Sequence, residues 1–303
     1  MATLRAIRKR IRSIRNIAQV TRAMQTVSAS KMRRAQVAAL ATRPYAARSW
    51  EVLGHLASRL SPQQRHGQPL LRQRPVRAIE VVLVTANRGL CGGYNHNVIS
   101  QAADFIQSQR VPVRLVTVGR KGRDYALRHG LNVVADFSEL SDRPTADDVR
   151  PIAQLVMEDL SRGLADQVWL VYTEFVSTLV QRPKVQLLLP IQSAAVERQA
   201  SPGARVPFLL EPAPEAIFGP MLRRFTELQV YRAVLEALAS EHSARMVAMR
   251  NATDNALRLI DEMTLSYNKA RQEAITKELI DIIGGAAALE RARGAVSARR
   301  QAL

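Results

Sequence analysis

ASEHSARMVAMRNATDNALRLIDEMTLSYNKARQEAITKELIDIIGGAAAL, residues Ala239 to Leu289, holds no proline and no glycine before Gly284. Within it Met246, Met249, Thr253, Ala256, Ile260, Met263, Tyr267, Ala270 and Ala274 are spaced by three and four throughout, the heptad of a coiled coil. Freedom from proline reaches back to Met221, and Pro220 stands where a first helical turn tolerates its missing N–H. The pattern therefore predicts one uninterrupted helix of roughly 60 to 70 residues, about 100 Å long.

A second long stripe lies at the opposite end of the chain. From Met1 to Arg43 there is neither proline nor glycine, and apolar residues recur at Leu4, Ile7, Ile11, Ile14, Ile17, Val20, Met24 and Val27. The spacing is helical with one stammer, which would overwind a coiled coil locally. This helix would span roughly 65 Å before continuing past Pro44 toward Leu60.

Between the two stripes the pattern changes. Arg59 to Val76 (RLSPQQRHGQPLLRQRPV) has no period and reads as a linker. Ala78–Thr85, Val113–Val118, Val133–Phe137, Gln167–Ser177 and Lys184–Leu189 read as strands, and Asn97–Gln109, Lys121–Arg128 and Ala146–Arg162 as helices between them. That alternation is an α/β layered domain, followed by a loop over Pro190–Pro214. The expected fold is α/β: a long antiparallel coiled coil of N- and C-terminal helices carrying an inserted Rossmann-like α/β domain. The segments are 1–58 (helix), 59–76 (linker), 77–214 (α/β domain) and 215–303 (helix and tip).

If the first helix runs back along its partner, its start lies roughly opposite residue 275, which leaves Thr276 to Leu303 unpaired. Yet Leu279, Ile280, Ile282, Ile283, Ala286, Ala287, Ala288 and Leu289 cannot all face one neighbour. An all-round apolar tip promotes aggregation unless another protein sheathes it.

The 44 Lys and Arg against 26 Asp and Glu, net +18, imply anionic partners. Residues 1–50 hold twelve of the bases and no acid, which fits a solvated face, a nucleic-acid contact or an acidic protein partner. Lys31, Arg33 and Arg34 could touch phosphate, but no aromatic side chain joins the basic run before Tyr45, so stacking on single strands is unsupported. Acid-free and Arg-rich, the first twenty residues are like a transit peptide, but the pattern continues for twice that length and reads as mature protein. Cys91 stands alone, so no intrachain disulfide is possible and a cytoplasmic setting fits. No apolar run approaches the ~20 residues of a membrane helix.

Arg88 to Gly93 (RGLCGG) follows a strand and precedes a helix, the context of a phosphate loop. It lacks the Lys-Ser or Lys-Thr of such a loop and the spacing of a dinucleotide fingerprint. A structural turn using Gly89, Gly92 and Gly93 is the stronger reading, with Cys91 as a small packed residue. His55, His66, His96, His129 and His242 have no metal-like spacing, and no catalytic residue, metal or cofactor is expected.

Three segments carry a family resemblance: IAQVTRAMQTVSASKMRRAQ (Ile17–Gln36), TANRGLCGGYNHNVI (Thr85–Ile99) and the stretch quoted first. All three resemble γ subunits of bacterial-type F-type ATP synthases, collinearly from about Thr3 to about Leu289. The resemblance departs at 59–76, at 194–206 and in the tail Glu290–Leu303. It implies a noncatalytic central-stalk rotor that couples proton flow to ATP synthesis and helps regulate ATPase activity. The implied partners are α and β subunits, an ε subunit and the membrane c-subunit ring, with no nucleic acid and no insertion into the membrane. The implied location is the cytoplasmic side of the cell's inner (plasma) membrane. By the family's motifs, Met24, Arg271, Gln272, Thr276 and Asp281 become candidates for rotor–stator contacts. The cysteine-pair redox switch of the chloroplast form is excluded, since Cys91 has no second cysteine.

Overall fold

The computed structural model describes the backbone of residues 4–192, 211 and 213–301, with the side chains of all these except 43, 62, 66 and 288–301. Two compact units emerge, Met1–Ala23 with Arg250–Leu303, and Met24–Met249. Two helices contribute to both: α1, Leu4–Arg59, and α6, Pro214–Gln301.

Unit two is built on five strands: β1 Ile79–Val84, β2 Val113–Val118, β3 Val133–Asp136, β4 Gln167–Phe175 and β5 Gln181–Leu189. The order is β3-β2-β1-β4-β5. The first four are mutually parallel and β5 returns antiparallel along β4. Helices α3 (Tyr94–Ser108), α4 (Arg120–Arg128) and α5 (Ala146–Arg162) make the crossovers, as parallel strands require.

Alternation along β1 divides the interior into two layers. Ile79, Val81 and Leu83 pack with Val98 and Ala102 of α3 and Ala126 of α4. Val82 and Val84 face a larger core holding Val149, Ile152, Val156 and Leu160 of α5, Leu53 and Leu56 of α1 with Leu60 just past its end, and Phe218, Leu222, Phe225, Val230 and Val234 of α6. Trp50 meets Phe225 edge-on at 4.3 Å. Burial of each large side chain contributes roughly 1.5–3 kcal/mol, so the sheet and the roots of both long helices form one core.

α5 has the bounds that its sequence predicts. Thr145 caps it reciprocally with Asp148, and Gly163 ends it in the left-handed conformation, φ 75°. Two expectations are corrected. α6 begins at Pro214 rather than Pro220, and Pro220 lies inside it; six residues in, proline removes one early backbone bond without ending the helix. The stretch read as a structureless linker holds helix α2, Pro62–His66, and a 3₁₀ turn, Pro69–Leu71. Ser61 and Gln64 form a capping box there, and Leu70 and Leu71 are buried.

Candidate functional site

In unit one, α1 and α6 run antiparallel: Thr21 Oγ1 lies 2.7 Å from Thr253 Oγ1, and Arg8 hydrogen-bonds the Tyr267 hydroxyl. The Arg8 guanidinium also sits 5.3 Å from the centre of the Tyr267 ring, a cation–π contact. On α6 the inward positions are Thr253, Ala256, Ile260, Met263, Tyr267 and Ala270, the heptad read from sequence. Ala274, its last member, is exposed.

The α1 side differs from expectation. Leu4, Ile7, Ile11 and Ile14 face inward, but then Ala18 and Thr21 do so, while Ile17 and Val20 are 52% and 59% exposed. Farther along, in unit two, Gln25, Ser28, Met32 and Ala35 are inward and Val27 is 54% exposed. From Leu4 to Thr21 the inward positions of α1 thus alternate three and four without a stammer, while in unit two Met24, a member of the predicted stripe, is half-buried beside Gln25. Larger apolar residues drew the sequence-based stripe off the inner face. Small residues hold it because Thr253 and Ala256 leave room only for close helix approach, and the buried hydroxyl of Thr253 needs a partner.

Beyond Ala270 every described side chain of α6 is exposed, from Arg271 to Ala287. Ile275, Leu279, Ile280, Ile282 and Ile283 are between 45% and 67% exposed, and a methyl added at Gly284 or Gly285 would meet nothing within 4 Å. Ala288 and Leu289, also expected in the bare tip, lie outside the described side chains, as does the whole tail 290–303. Arg271, Gln272, Thr276 and Asp281 all belong to this bare stretch. Four residues apart, Gln272 and Thr276 share a face, whereas Arg271 and Asp281 project elsewhere, so the four surround the helix. Met24 lies in unit two, half-buried, its carbonyl accepting from Ser28 Oγ at 2.7 Å.

Unit two also contains RGLCGG. In a doubly wound sheet, ligands bind at the carboxyl ends of the strands where strand order reverses, here between β1 and β4. α6 fills that crevice. Arg245 Nη2 donates to the carbonyls of Arg88 and Gly89 at 3.3 and 3.2 Å, Ser240 Oγ to Thr173 O at 3.1 Å and Ser243 Oγ to Thr178 O at 2.7 Å. In the turn itself, Gly92 takes φ 57° and Leu90, not a glycine, takes φ 61°. Neither Gly89 nor Gly93 adopts a left-handed torsion. Cys91 is buried and accepts from Asn95 Nδ2, and burial pushes its thiol up, away from reactivity.

Arg245 Nη1 also pairs with Glu241 at 2.7 Å, both nearly buried. Beside them burial, then the Arg245 charge, press His242 down to about 4. Lys31, one of the basic residues of α1, is bound to Asp142. Nothing in the sequence flagged this cluster. Glu241 and Arg245, four apart, stand among Ser240, His242 and Ser243, a mixed polar run with no site motif. Among the described residues no group of His, Cys, Asp and Glu could hold a metal, and no helix is long and apolar enough to cross a membrane.

A family model described as ATP synthase matches residues 3–289. The chain is 48% identical over 289 residues to the ATP synthase gamma chain of Dehalococcoides mccartyi, covering 95% of this chain and all of that one. It is 47% identical over 292 residues to that of Chloroflexus aurantiacus, covering 95% and 99%. Its fold is similar to a chain of the Euglena gracilis mitochondrial ATP synthase, OSCP/F1/c-ring in rotational state 3. The TM-score is 0.66 at 20% identity, covering 96% of this chain and 95% of that chain. A chain of the Tetrahymena thermophila central stalk and c-ring gives 0.57 at 24% identity, covering 77% and 99%.

Proposed function

The chain belongs to the γ-chain family of ATP synthases, and we propose that it is the central-stalk rotor of a proton-translocating enzyme, without a catalytic site of its own. It transmits rotation of a membrane c-subunit ring to the catalytic β subunits and helps regulate their ATPase activity. The observation that carries this reading is the bare end of α6: from Arg271 to Ala287 every side chain is exposed, Ile275, Leu279, Ile280, Ile282 and Ile283 among its polar residues, and so much apolar surface belongs inside another protein. The α and β subunits supply that sleeve. The ε subunit and c ring engage the α/β domain, holding the protein at the cytoplasmic face of the inner (plasma) membrane. In this scheme residues 1–58 and 215–303 form the shaft, joined through 59–76 to the domain of 77–214.

Within the sleeve Arg271, Gln272, Thr276 and Asp281 make polar contacts with β that break and re-form in each turn, and Met24 faces acidic β loops lower down. Because the four tip residues surround the helix, each β subunit meets a different one at any angle, which gives three sites three different states. The turn Gly89, Gly92 and Gly93 is structural.

The test is assembly of the full-length chain with α, β and ε. Ile282→Asp with Ile283→Asp should leave the isolated chain folded and abolish coupled ATP synthesis; full activity of the variant would overturn the reading. Met24→Lys should add an ion pair with β and lower synthesis relative to hydrolysis. An unchanged ratio would remove Met24 from the contact.

A further inference from the structure

Glu80 lies in the centre of the sheet. It is fully buried, aligned with Arg114 of β2 on one side and Val168 of β4 on the other. Strand alternation turns it, with Val82 and Val84, toward α5. No donor reaches either of its carboxyl oxygens. Its carboxyl neighbour is Asp159 on α5, which acts on it through both charge and hydrogen bonding. Asp159, itself buried, accepts from Arg114 Nη2 at 2.6 Å.

Two ionised carboxylates facing each other offer acceptors only. The single guanidinium of Arg114 balances one charge, so the trio is neutral only when it holds one proton. Leaving the second charge buried and unpaired costs far more than taking up that proton. Among the described residues, Asp159 and Arg114 are the charges that act on Glu80: Val168 on β4 is apolar, Arg74 ahead of β1 donates to the Leu160 carbonyl at 3.4 Å, and Asp166 receives the amides of Arg77 and Ala78.

We propose that Glu80 keeps a proton, which it donates to the Asp159 carboxylate beside Arg114, and that this proton latches α5 onto the sheet, so that the two layers loosen as the surroundings turn alkaline. Burial first, then the Asp159 charge, raises the Glu80 carboxyl from 4.5 to about 8. An opened state returns it to its ordinary value. The latch is therefore complete below about 4.5, weakens as pH rises from there and is lost near 8, above which opening no longer depends on pH. The Rossmann-like fold does not require the arrangement, since a valine at position 80 would complete the apolar row. Its distinctive content is a proton-responsive joint in the α/β domain.

Hydrogen exchange of β1 and α5 amides in the full-length chain, corrected for intrinsic rates, tests this. The opening equilibrium should rise by up to about tenfold per pH unit between pH 6 and 8 and level off by pH 9. In Glu80→Gln the side-chain amide donates to Asp159 in the proton's place, and the rise should vanish. Asp159→Asn serves the same purpose should the first variant fold poorly. The infrared carbonyl band of a protonated carboxyl, titrated in the unaltered chain, needs no variant and should disappear around pH 8. Exchange with the same pH slope in the variants, or no such band at pH 7, would overturn the proposal.

Discussion

One helix, α6, spends its two ends in opposite ways. Between Phe218 and Arg245 it buries Phe218, Leu222, Val230, Ser240 and Ser243 almost completely and holds its neighbours through Arg245, Ser240 and Ser243. Between Arg271 and Ala287 it buries nothing among the described residues. Both stretches are rich in apolar residues, so hydrophobicity alone does not separate them. What separates them is whether the chain supplies a second surface. The inner end takes part in folding, whereas the outer end stays exposed, and the continuous helical backbone joins the two.

The comparison can be broken most forcefully by truncating one side chain at each end. Phe218→Ala should cost about 3–5 kcal/mol in chemical denaturation of the isolated chain, and Ile283→Ala less than about 0.5 kcal/mol. Equal costs would mean that the tip packs against its own chain.

Next in size is Arg245→Ala, which strands Glu241 in a buried site and frees the Arg88–Gly89 carbonyls. A loss of about 3 kcal/mol is expected, with faster amide exchange in the 88–93 turn. Protection unchanged in that turn would show that α6 does not hold it.

His242 sharpens the same contrast through pH. Its folded-state pKa is depressed from 6.5 to about 4, so it contributes stability that is present above 6.5 and lost as pH falls toward 4. The stability difference between His242→Gln and the unaltered chain should shift in the variant's favour by up to about 1.4 kcal/mol per pH unit across that window. A flat difference would show that the imidazole is not held neutral.

The smallest effect belongs between the extremes, in the seam. Thr21→Val should cost about 1 kcal/mol by leaving Thr253 without that hydroxyl. Thr21→Val with Thr253→Val should recover part of the loss. Strict additivity in the double-mutant cycle would deny the contact.

Much of this was readable in advance. The heptad from Met249 to Ala270 is the inward face of α6, β2 has the predicted bounds, and the apolar tip was recognisable because no single neighbour could cover its circumference. The register of α1 was not readable from size. Ile17 and Val20 are larger and more apolar than Ala18 and Thr21, yet close helix packing selected the smaller pair. The Ser61–Gln64 capping box was visible in letters, but the absence of a hydrophobic period over so short a helix hid it. The candidate contacts at Arg271, Gln272, Thr276 and Asp281 came from family resemblance alone, and all four side chains are exposed.

By itself the sequence determined the two long helices, the alternation that makes an α/β layer and the excess of apolar surface at one end. Each follows from local periodicity and from the absence of proline and glycine. Only the tertiary structure decided which face of α1 turns inward, that α6 fills the crevice beside RGLCGG, and that Glu80 meets Asp159. Those outcomes depend on distances between residues far apart in the chain, where shape and unpaired polar groups outweigh hydrophobicity.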